Sequence, residues 1–283
     1  MRRKKQSDRL STQQEENKGA VGIFDEGAQK LDKKISDISK QVLEILKKEY
    51  PQLKFKHRSF ISKKEINTAL NQLDKRLGQT LIISRAGIKP DGGLIEVLDD
   101  NNNWRIILVS EAKYQGKDIE NVRKGIKVGK KKNQDLMAAG NAIERAHKNI
   151  CEIANRMLTE SYFPYVLFIT GSNFLTKDVT ITRPDGSKYT ITYDNSTLNR
   201  LDRLTSANYA MPLNTNHCKN IFVSTPKATI MLQAASIYTQ GSGEQWKDTE
   251  VIKVMLEIAK TSLRELGSDI FTQVTNEKQK STH

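Results

Sequence analysis

The stretch PDGGLIEVLDDNNNWRIILVSEAK, residues 90–113, decides the fold. It holds two runs of mainly aliphatic residues, Gly93–Leu98 and 104–110, separated by DDNNN at 99–103. Aliphatic and β-branched residues favour strands, whereas Asp and Asn favour turns. The pattern therefore predicts an antiparallel hairpin with its turn centred on Asn101.

Three charged residues stand at the open end of this hairpin. With the turn centred on Asn101, Asp91 lies directly opposite Glu111, with about 5 Å between the two Cβ atoms. Lys113 follows Glu111 by two residues, so its side chain emerges on the same face of the strand. A change of one residue in the register would turn Asp91 to the other face. The correct register therefore predicts a cluster of two carboxylates and one ammonium.

Such a cluster suits the hydrolysis of phosphodiesters. Two carboxylates can share a hard divalent cation such as Mg²⁺, with the carbonyl oxygen of Ala112 as a further ligand. The cation lowers the pKa of a bound water, and the Lys113 ammonium can orient that water and offset the developing charge. Pro90-Asp91 followed by Glu111-Ala112-Lys113 matches the PD-(D/E)xK pattern of many DNA nucleases. The alternative interpretation is a charged strand end beside a turn.

Other catalytic arrangements find little support in the sequence. The histidines have no metal-ligand spacing, and no Gly-rich phosphate-binding loop is present. Pro184-Asp185 has no Glu-x-Lys at a suitable distance downstream, so it predicts only a hairpin turn. Cys151 and Cys218 are too few for a disulfide framework or a zinc cage, and we interpret both as structural.

The charge of the chain indicates the partner. Its formal net charge is +13 at pH 7, and a surplus of cations attracts polyanions. Nucleic acid is the favoured partner, and an anionic membrane surface is the alternative. No apolar stretch approaches the roughly 20 residues of a membrane span, and the N-terminus lacks the apolar region of a secretory signal. We expect no membrane association and, with only two cysteines, a reduced cytoplasmic location.

Apolar periodicity predicts the remaining elements. Helices are expected at 29–50, 63–76, 133–159, 195–206 and 244–266, and strands at 80–84, 163–171 and 221–223. A second hairpin is expected at 179–193, and 229–238 reads as strand or helix. This order predicts an α/β fold with a central mixed β-sheet flanked by helices. We expect a basic arm at 1–18, a single domain at 19–275 and a polar tail at 276–283.

The predicted helix at 133–159 carries two stripes. Its apolar stripe is expected to pack on other helices: Leu136, Ala139, Ile143, Ala146, Ile150, Ile153 and Met157. A polar stripe lies beside it: Met137, Asn141, Arg145 and Lys148. Asn can pair with adenine and Arg with guanine, and Glu144 can accept from a base or brace Arg145. Small residues such as Ala138 and Ala142 would let the backbone approach the bases. The alternative is an ordinary solvated face.

Two sets of cations are candidates for contacts to DNA. A basic run precedes the helix: Arg123, Lys124, Lys127, Lys130, Lys131 and Lys132. Contacts to phosphate fix register without reading sequence, and they make affinity fall with salt. Arg200 and Arg203 form a second pair that could reach phosphate or base.

Longer segments resemble one family. They are IKPDGG (88–93), SEAKYQGKDI (110–119), QDLMAAGNAIERAHKNI (134–150), PYVLF (164–168), GSNFLT (171–176), TRPDG (182–186), LNRLDRLTSANYAMP (198–212) and IMLQAASIYTQG (230–241). Together they resemble the EcoRI family of type II restriction endonucleases over nearly the whole chain. Tyr114 departs from the family, which has histidine there; the change leaves the metal site intact and bears on the strictness of sequence discrimination.

The resemblance implies a homodimer with the restriction-endonuclease-like fold, extended arms that wrap the DNA, and Mg²⁺-dependent cleavage of GAATTC after G. It implies metal binding by Asp91 and Glu111 and catalysis by Lys113. The central bases would be read by the segment that contains Met137, Ala138, Asn141, Ala142 and Arg145. Arg200 and Arg203 match arginines at the DNA interface, and the residues after Lys113 match an arm. A separate cognate methyltransferase would protect host DNA.

Two alternative functions stay open, and only the second belongs to another functional class. One is a nuclease of the same fold that acts in repair or junction resolution. The other is a protein that binds DNA without cutting it, against which the intact Asp91, Glu111 and Lys113 argue.

Overall fold

The computed structural model describes residues 26–79, 86–128, 132–137, 142–194 and 199–267. Its helices are α1 (Glu26–Glu49), α2 (Lys63–Leu73), α3 (Asp118–Arg123), α4 (Ala142–Arg156), α5 (Leu201–Ala207) and α6 (Asp248–Leu266). Its strands are β1 (Phe55–Arg58), β2 (Ile61–Ser62), β3 (Gly87–Ile88), β4 (Gly93–Leu98), β5 (Trp104–Tyr114), β6 (Tyr165–Thr170), β7 (Val179–Thr182), β8 (Lys188–Ile191), β9 (Ile221–Ser224), β10 (Thr229–Leu232) and β11 (Ser236–Thr239).

Five strands form the central sheet, in the order β1-β4-β5-β6-β11. The pairs β1/β4 and β4/β5 are antiparallel, and β5/β6 and β6/β11 are parallel. The predicted mixed sheet is therefore confirmed. The middle strand β5 is buried along most of its length, which explains its nearly continuous aliphatic sequence.

Helices cover both faces of this sheet. On β5, Ser110 and Glu111 point to opposite faces because successive side chains alternate. A Cβ placed on Gly92, which lies beside Ser110, would be 2.9 Å from Cγ2 of Ile35, so α1 covers the face of Ser110. The side chain of Asn149 contacts Glu111, so α4 covers the other face.

Amphipathic sequences explain why the helices dock. The apolar stripe of α1 is fully buried: Leu31, Ile35, Ile38, Val42 and Leu46. On α6 the buried stripe is Val251, Met255, Ile258 and Ala259, and α1 and α6 pack together against β5. Full burial of one such aliphatic side chain contributes about 1.5–3 kcal/mol relative to exposure. Ser62 and Glu65 form a capping box that begins α2.

A smaller apolar cluster lies beside the main core. It consists of Val122, Leu175, Ile181 and Ile191, with Leu136 packed against it. The cluster joins α3 to the β7–β8 hairpin, which was predicted with its break at Pro184-Asp185-Gly186 and is confirmed. The helix that follows Lys113, α3, thus packs on the β7–β8 hairpin through this smaller cluster.

Most predicted elements are confirmed, although several bounds differ. The last helix begins at Asp248 instead of residue 244, because Trp246 Nε1 donates to Ile169 O at 3.1 Å and Thr170 Oγ1 donates to Glu244 O at 2.6 Å. These bonds hold residues 244–246 against the sheet. The ambiguous stretch 229–238 divides into β10 and β11.

The predicted strand 80–84, the basic arm 1–18 and the tail 276–283 lie outside the described residues. Among the described helices none has the length and apolar character that crossing a membrane requires.

Candidate active site

The β4–β5 hairpin forms as predicted, but its register changes along its length. Near the turn Leu98 pairs with Trp104, the register expected for a turn centred on Asn101. A bulge between Ile95 and Glu96 then shifts the pairing, so that Gly93 pairs with Ser110. The expected direct opposition of Asp91 and Glu111 is therefore wrong, because one extra residue of β5 is accommodated in the bulge.

Asp91 lies in the tight turn that leads into β4. Gly93 N donates to Pro90 O at 3.0 Å, and Gly93 has a φ of +74°, which favours glycine. The backbone N–H of Ala112 donates to Oδ2 of Asp91 at 3.1 Å. The turn therefore points the Asp91 side chain across the end of the hairpin toward β5.

The three predicted charged residues meet despite the shifted register. Nζ of Lys113 lies 3.0 Å from Oδ2 of Asp91 and 2.6 Å from Oε1 of Glu111. It also donates to Ala112 O at 2.8 Å. The Lys113 ammonium thus contacts all three groups that were predicted to bind a metal ion.

Glu111 is the most enclosed member of the cluster, with a relative exposure of 1%. Nδ2 of Asn149 donates to Oε1 at 3.1 Å and to Oε2 at 3.0 Å. The hydroxyl of Tyr165 donates to Oε2. A buried carboxylate needs such donors, because its charge loses the solvation that water provides.

The charges and the burial of the cluster shift the pKa values of two of its groups, Lys113 and Tyr165. Burial opposes the charge of Lys113, but Glu111 and Asp91 outweigh it and raise the pKa of the ammonium above its ordinary value. Lys113 is therefore a cation at neutral pH. Burial, with a further contribution from Glu111, raises the pKa of the Tyr165 phenol well above its ordinary value, so this hydroxyl remains a donor.

A further carboxylate, Asp32, lies near the cluster on the half-buried side of α1. It precedes Ile35 by one helical turn, so the two side chains share the helix face that packs at Gly92. Burial, then the charge of Asp91, raises the pKa of Asp32 to about 7, while Lys113 lowers it. In the described part of the chain no group of three His, Cys, Asp or Glu side chains is arranged to hold a metal ion.

The predicted helix at 133–159 begins later than expected, at Ala142. Residues 133–137 are not helical because tertiary contacts hold them. Asp135 forms ion pairs with Lys127 at 2.6 Å and with Arg183 at 2.7 Å. The backbone N–H of Met137 donates to Oδ1 of Asp118 at 2.9 Å. Met137 is therefore not on one helical stripe with Arg145, and Leu136 packs on the smaller cluster and not on the helix bundle.

The remaining base-reading candidates lie on different parts of the surface. Glu144, Arg145 and Lys148 are exposed on the first turns of α4, and Lys148 pairs with Glu152 at 2.9 Å. Arg203 is exposed on α5, and Arg200 precedes that helix, where its N–H donates to Asn173 O at 2.8 Å. Ala142 is the first residue of α4. Three candidates lie outside the described residues: Lys130, Ala138 and Asn141.

Sequence reasoning missed three residues around the cluster. Asn149 lies one turn after Arg145 on the helix that was predicted to read bases, and that spacing was an available signal. Asp32 borders the apolar stripe of α1. Tyr165 had no local signal, because its contact with Glu111 depends on the pairing of β5 with β6.

The mixed sheet, with this cluster at the end of its central hairpin, defines the class of restriction-endonuclease-like proteins. The model of the restriction endonuclease EcoRI family matches residues 17–273. The type II restriction enzyme EcoRI of Escherichia coli is 56% identical over 276 residues, which cover 98% of this chain and 100% of that protein. The type II restriction enzyme RsrI of Cereibacter sphaeroides is 46% identical over 267 residues, which cover 94% of this chain and 96% of that protein. The chain belongs to the EcoRI family of restriction endonucleases, as its resemblance predicted.

Proposed function

We propose that this protein is a type II restriction endonuclease that hydrolyses phosphodiester bonds of double-stranded DNA at GAATTC. It cuts after G on each strand and leaves 5′-phosphates and AATT 5′ overhangs. The observation that carries the proposal is the convergence of Asp91, Glu111 and Lys113, with the Lys113 ammonium within 3.0 Å of both carboxylates. The GAATTC site itself rests on the similarity to EcoRI and RsrI.

A divalent cation fits the donor set of the cluster. Three oxygen atoms, from Asp91, Glu111 and the Ala112 carbonyl, already converge on one positive charge, that of Lys113. All three are hard oxygen donors, which suit Mg²⁺. When bound, the cation would lower the pKa of a water molecule and stabilise charge on the phosphate. Asp91, Glu111 and Ala112 are the residues that would hold it.

The chain supplies the rest of the chemistry. The N–H of Ala112 fixes the Asp91 carboxylate, and Asn149 and Tyr165 fix that of Glu111. Lys113 is a half-buried cation that can contact a phosphate oxygen and orient the attacking water. Its raised pKa means that it acts as a charge and hydrogen-bond donor at neutral pH and not as a general base.

The reading of bases is assigned to α4 and the segment before it. Glu144 and Arg145 are exposed on the first turn of α4, where Arg145 can pair bidentately with guanine. The assigned contacts to DNA are Met137, Ala138, Asn141, Ala142, Glu144, Arg145, Lys130, Lys148, Arg200 and Arg203. The net charge of +13 supports the capture of DNA through its phosphates.

A homodimer follows from the palindrome, because a two-fold axis gives each subunit an identical half-site. In the bacterial cytoplasm the host's own GAATTC sites would need protection. A cognate methyltransferase, which is a separate protein, would supply it.

The test is digestion of plasmid DNA by the purified protein with Mg²⁺, followed by sequencing of the product ends. Discrete fragments with AATT 5′ overhangs at GAATTC are expected. Discrete cuts at another sequence would retain the enzyme class and overturn the base-reading assignments. Binding to a GAATTC duplex without cutting would overturn the nuclease assignment, and cutting only at branched or damaged DNA would favour a repair or junction nuclease.

A further inference from the structure

One buried tyrosine contacts the predicted catalytic machinery from within the sheet. Tyr165 is the first residue of β6, pairs with Val109 on β5 and has a relative exposure of 0%. Its hydroxyl donates to Oε2 of Glu111. A carboxylate oxygen can only accept, so the phenol is the donor in this bond. Tyr165 is therefore a fixed neutral donor behind the carboxylate.

The donors divide unequally between the two oxygens of Glu111. Oε2 accepts from Tyr165 and from Asn149, both of which are neutral. Oε1 accepts from Asn149 and faces the ammonium of Lys113. An ionised carboxylate has about four acceptor sites, two on each oxygen. Oε1 is therefore the oxygen that contacts the Lys113 ammonium, at 2.6 Å, and that ammonium also contacts Asp91.

We propose that Tyr165 is a positioning residue of the nuclease site, which holds Oε2 of Glu111 so that Glu111 offers only Oε1 to the divalent cation. Carboxylates bind such cations through one oxygen or two, and the terminal torsion of Glu is soft. By binding Oε2, the hydroxyl of Tyr165 fixes the terminal torsion of Glu111 and leaves Oε1 as the oxygen that can bind the cation. This inference rests on the proposed nuclease function and adds a residue to it.

The strand pairing explains why the contact is rigid. β6 lies beside β5, where Tyr165 is in register with Val109 and Pro164 O accepts from Val109 N at 2.9 Å, so the strand that carries the ring is bonded to the strand that carries Glu111. The neighbouring Phe163 ring stacks on Tyr165 with 5.8 Å between ring centroids. Outer residues that orient a metal ligand typically change metal affinity or activity by about 10- to 100-fold when removed.

The variant Tyr165→Phe removes only the hydroxyl, and the chain offers a matched control. Tyr162 is equally buried, with a relative exposure of 1%, and its hydroxyl donates to Ile106 O at 2.9 Å, away from Glu111. Tyr162→Phe therefore removes one buried hydrogen bond from the same core without touching the cluster. Urea unfolding reports whether both variants fold, and Tyr165→3-fluorotyrosine retains the hydroxyl on the same ring as a conservative variant.

The first readout is the single-turnover cleavage rate of a GAATTC duplex as a function of Mg²⁺ concentration. We expect Tyr165→Phe to raise the Mg²⁺ concentration for half-maximal rate by about tenfold or more, and Tyr162→Phe to leave it within about twofold. The 3-fluorotyrosine variant should behave like the parent. Equal shifts in the two Phe variants would show a general loss of core stability and would overturn the proposal.

The second readout does not depend on cleavage. Titration calorimetry with Ca²⁺ measures cation binding to the complex of protein and duplex, and Tyr165→Phe should change its affinity or stoichiometry, whereas Tyr162→Phe should not. Unchanged binding of Ca²⁺ together with unchanged Mg²⁺ dependence would refute the role of Tyr165. The variant Glu111→Gln tests the proposed nuclease site independently of Tyr165. If Glu111→Gln still cuts at the parent rate, the nuclease assignment itself fails, whatever the result for Tyr165→Phe.

Discussion

Two regions of the molecule carry the proposed chemistry, and they are built differently. The catalytic hairpin, residues 90–114, lies in the central sheet, and its Glu111 is enclosed by donors from α4 and β6. The reading segment, residues 134–148, includes the first turns of α4, where Glu144, Arg145 and Lys148 are exposed to solvent. A preorganised site lowers the barrier of a reaction, whereas base readout requires side chains that DNA can reach. The contrast predicts that the two regions can be disabled separately.

The largest effect is expected in the catalytic hairpin. Glu111→Gln removes one negative charge from the predicted metal site while retaining the shape of the side chain. Single-turnover cleavage of a GAATTC duplex with saturating Mg²⁺ should fall by about 10³-fold or more. A variant that folds normally and cuts within tenfold of the parent would show that Glu111 does not bind the metal.

The next effect belongs to the reading segment. Arg145→Lys retains the charge but removes the bidentate donor, so discrimination against single-base changes in GAATTC should fall by about 1–3 kcal/mol. Arg76→Lys, the same change at an exposed arginine that pairs with Asp74 outside the reading segment, is the control and should leave discrimination unchanged. If Arg145→Lys rejects altered sites as well as the parent does, its assignment to a base is wrong.

A third prediction returns to the hairpin and concerns Lys113, which contacts the same three oxygens as the predicted metal. Lys113→Met should bind Mn²⁺ about tenfold more tightly than the parent in the absence of DNA, because a competing positive charge is gone. Electron paramagnetic resonance counts the free Mn²⁺. Lys89→Met removes an equal charge two residues before Asp91, from an ammonium that faces the Phe60 ring, and should change binding much less. Equal effects of the two variants would exclude direct competition.

The smallest effect is a pH dependence of stability. The pKa of Asp32 is about 7 in the folded protein and 3.8 for the ordinary group, so the folded state binds its proton more tightly. The stability that this provides is present below the unfolded value and is lost as the pH rises toward 7. Asp32→Asn should therefore gain about 1 kcal/mol in free energy of unfolding, relative to the parent, between pH 5 and pH 8, after allowance for screening of a half-buried group.

Urea unfolding at the two pH values, without divalent cations, measures this difference. Asp37→Asn is a suitable control, because Asp37 is exposed on α1 and pairs with the exposed Lys40 at 3.5 Å. If the difference in free energy of unfolding between Asp32→Asn and the parent is the same at both pH values, Asp32 does not interact with the charges of the cluster as proposed.

Local sequence predicted the catalytic hairpin well because its determinants are local. A turn of Asp and Asn between aliphatic runs requires little else, and Asp91, Glu111 and Lys113 lie within one hairpin. The register was wrong by one residue because the bulge at Ile95/Glu96 has no signature in the sequence. The cluster survives this error because Asp91 lies in a turn before β4, from which its side chain reaches across the strand end.

The reading segment was predicted less well for the opposite reason. Its sequence is helical by periodicity, but distant residues determine its start. Asp135 is held by Lys127 and Arg183, and the Met137 N–H is held by Asp118. Contacts between residues so far apart in sequence override local propensity. The same limit explains why Tyr165 and Asp32 were found only in the structure.

The most direct test of this division compares two equilibrium constants. The affinity for a GAATTC duplex and for a duplex with one altered base pair is measured without divalent cation, for the parent, Glu111→Gln and Arg145→Lys. We expect Glu111→Gln to retain the parent's ratio of affinities and Arg145→Lys to lower it. If Glu111→Gln loses discrimination, or if Arg145→Lys retains it, the separation of cutting from reading is contradicted.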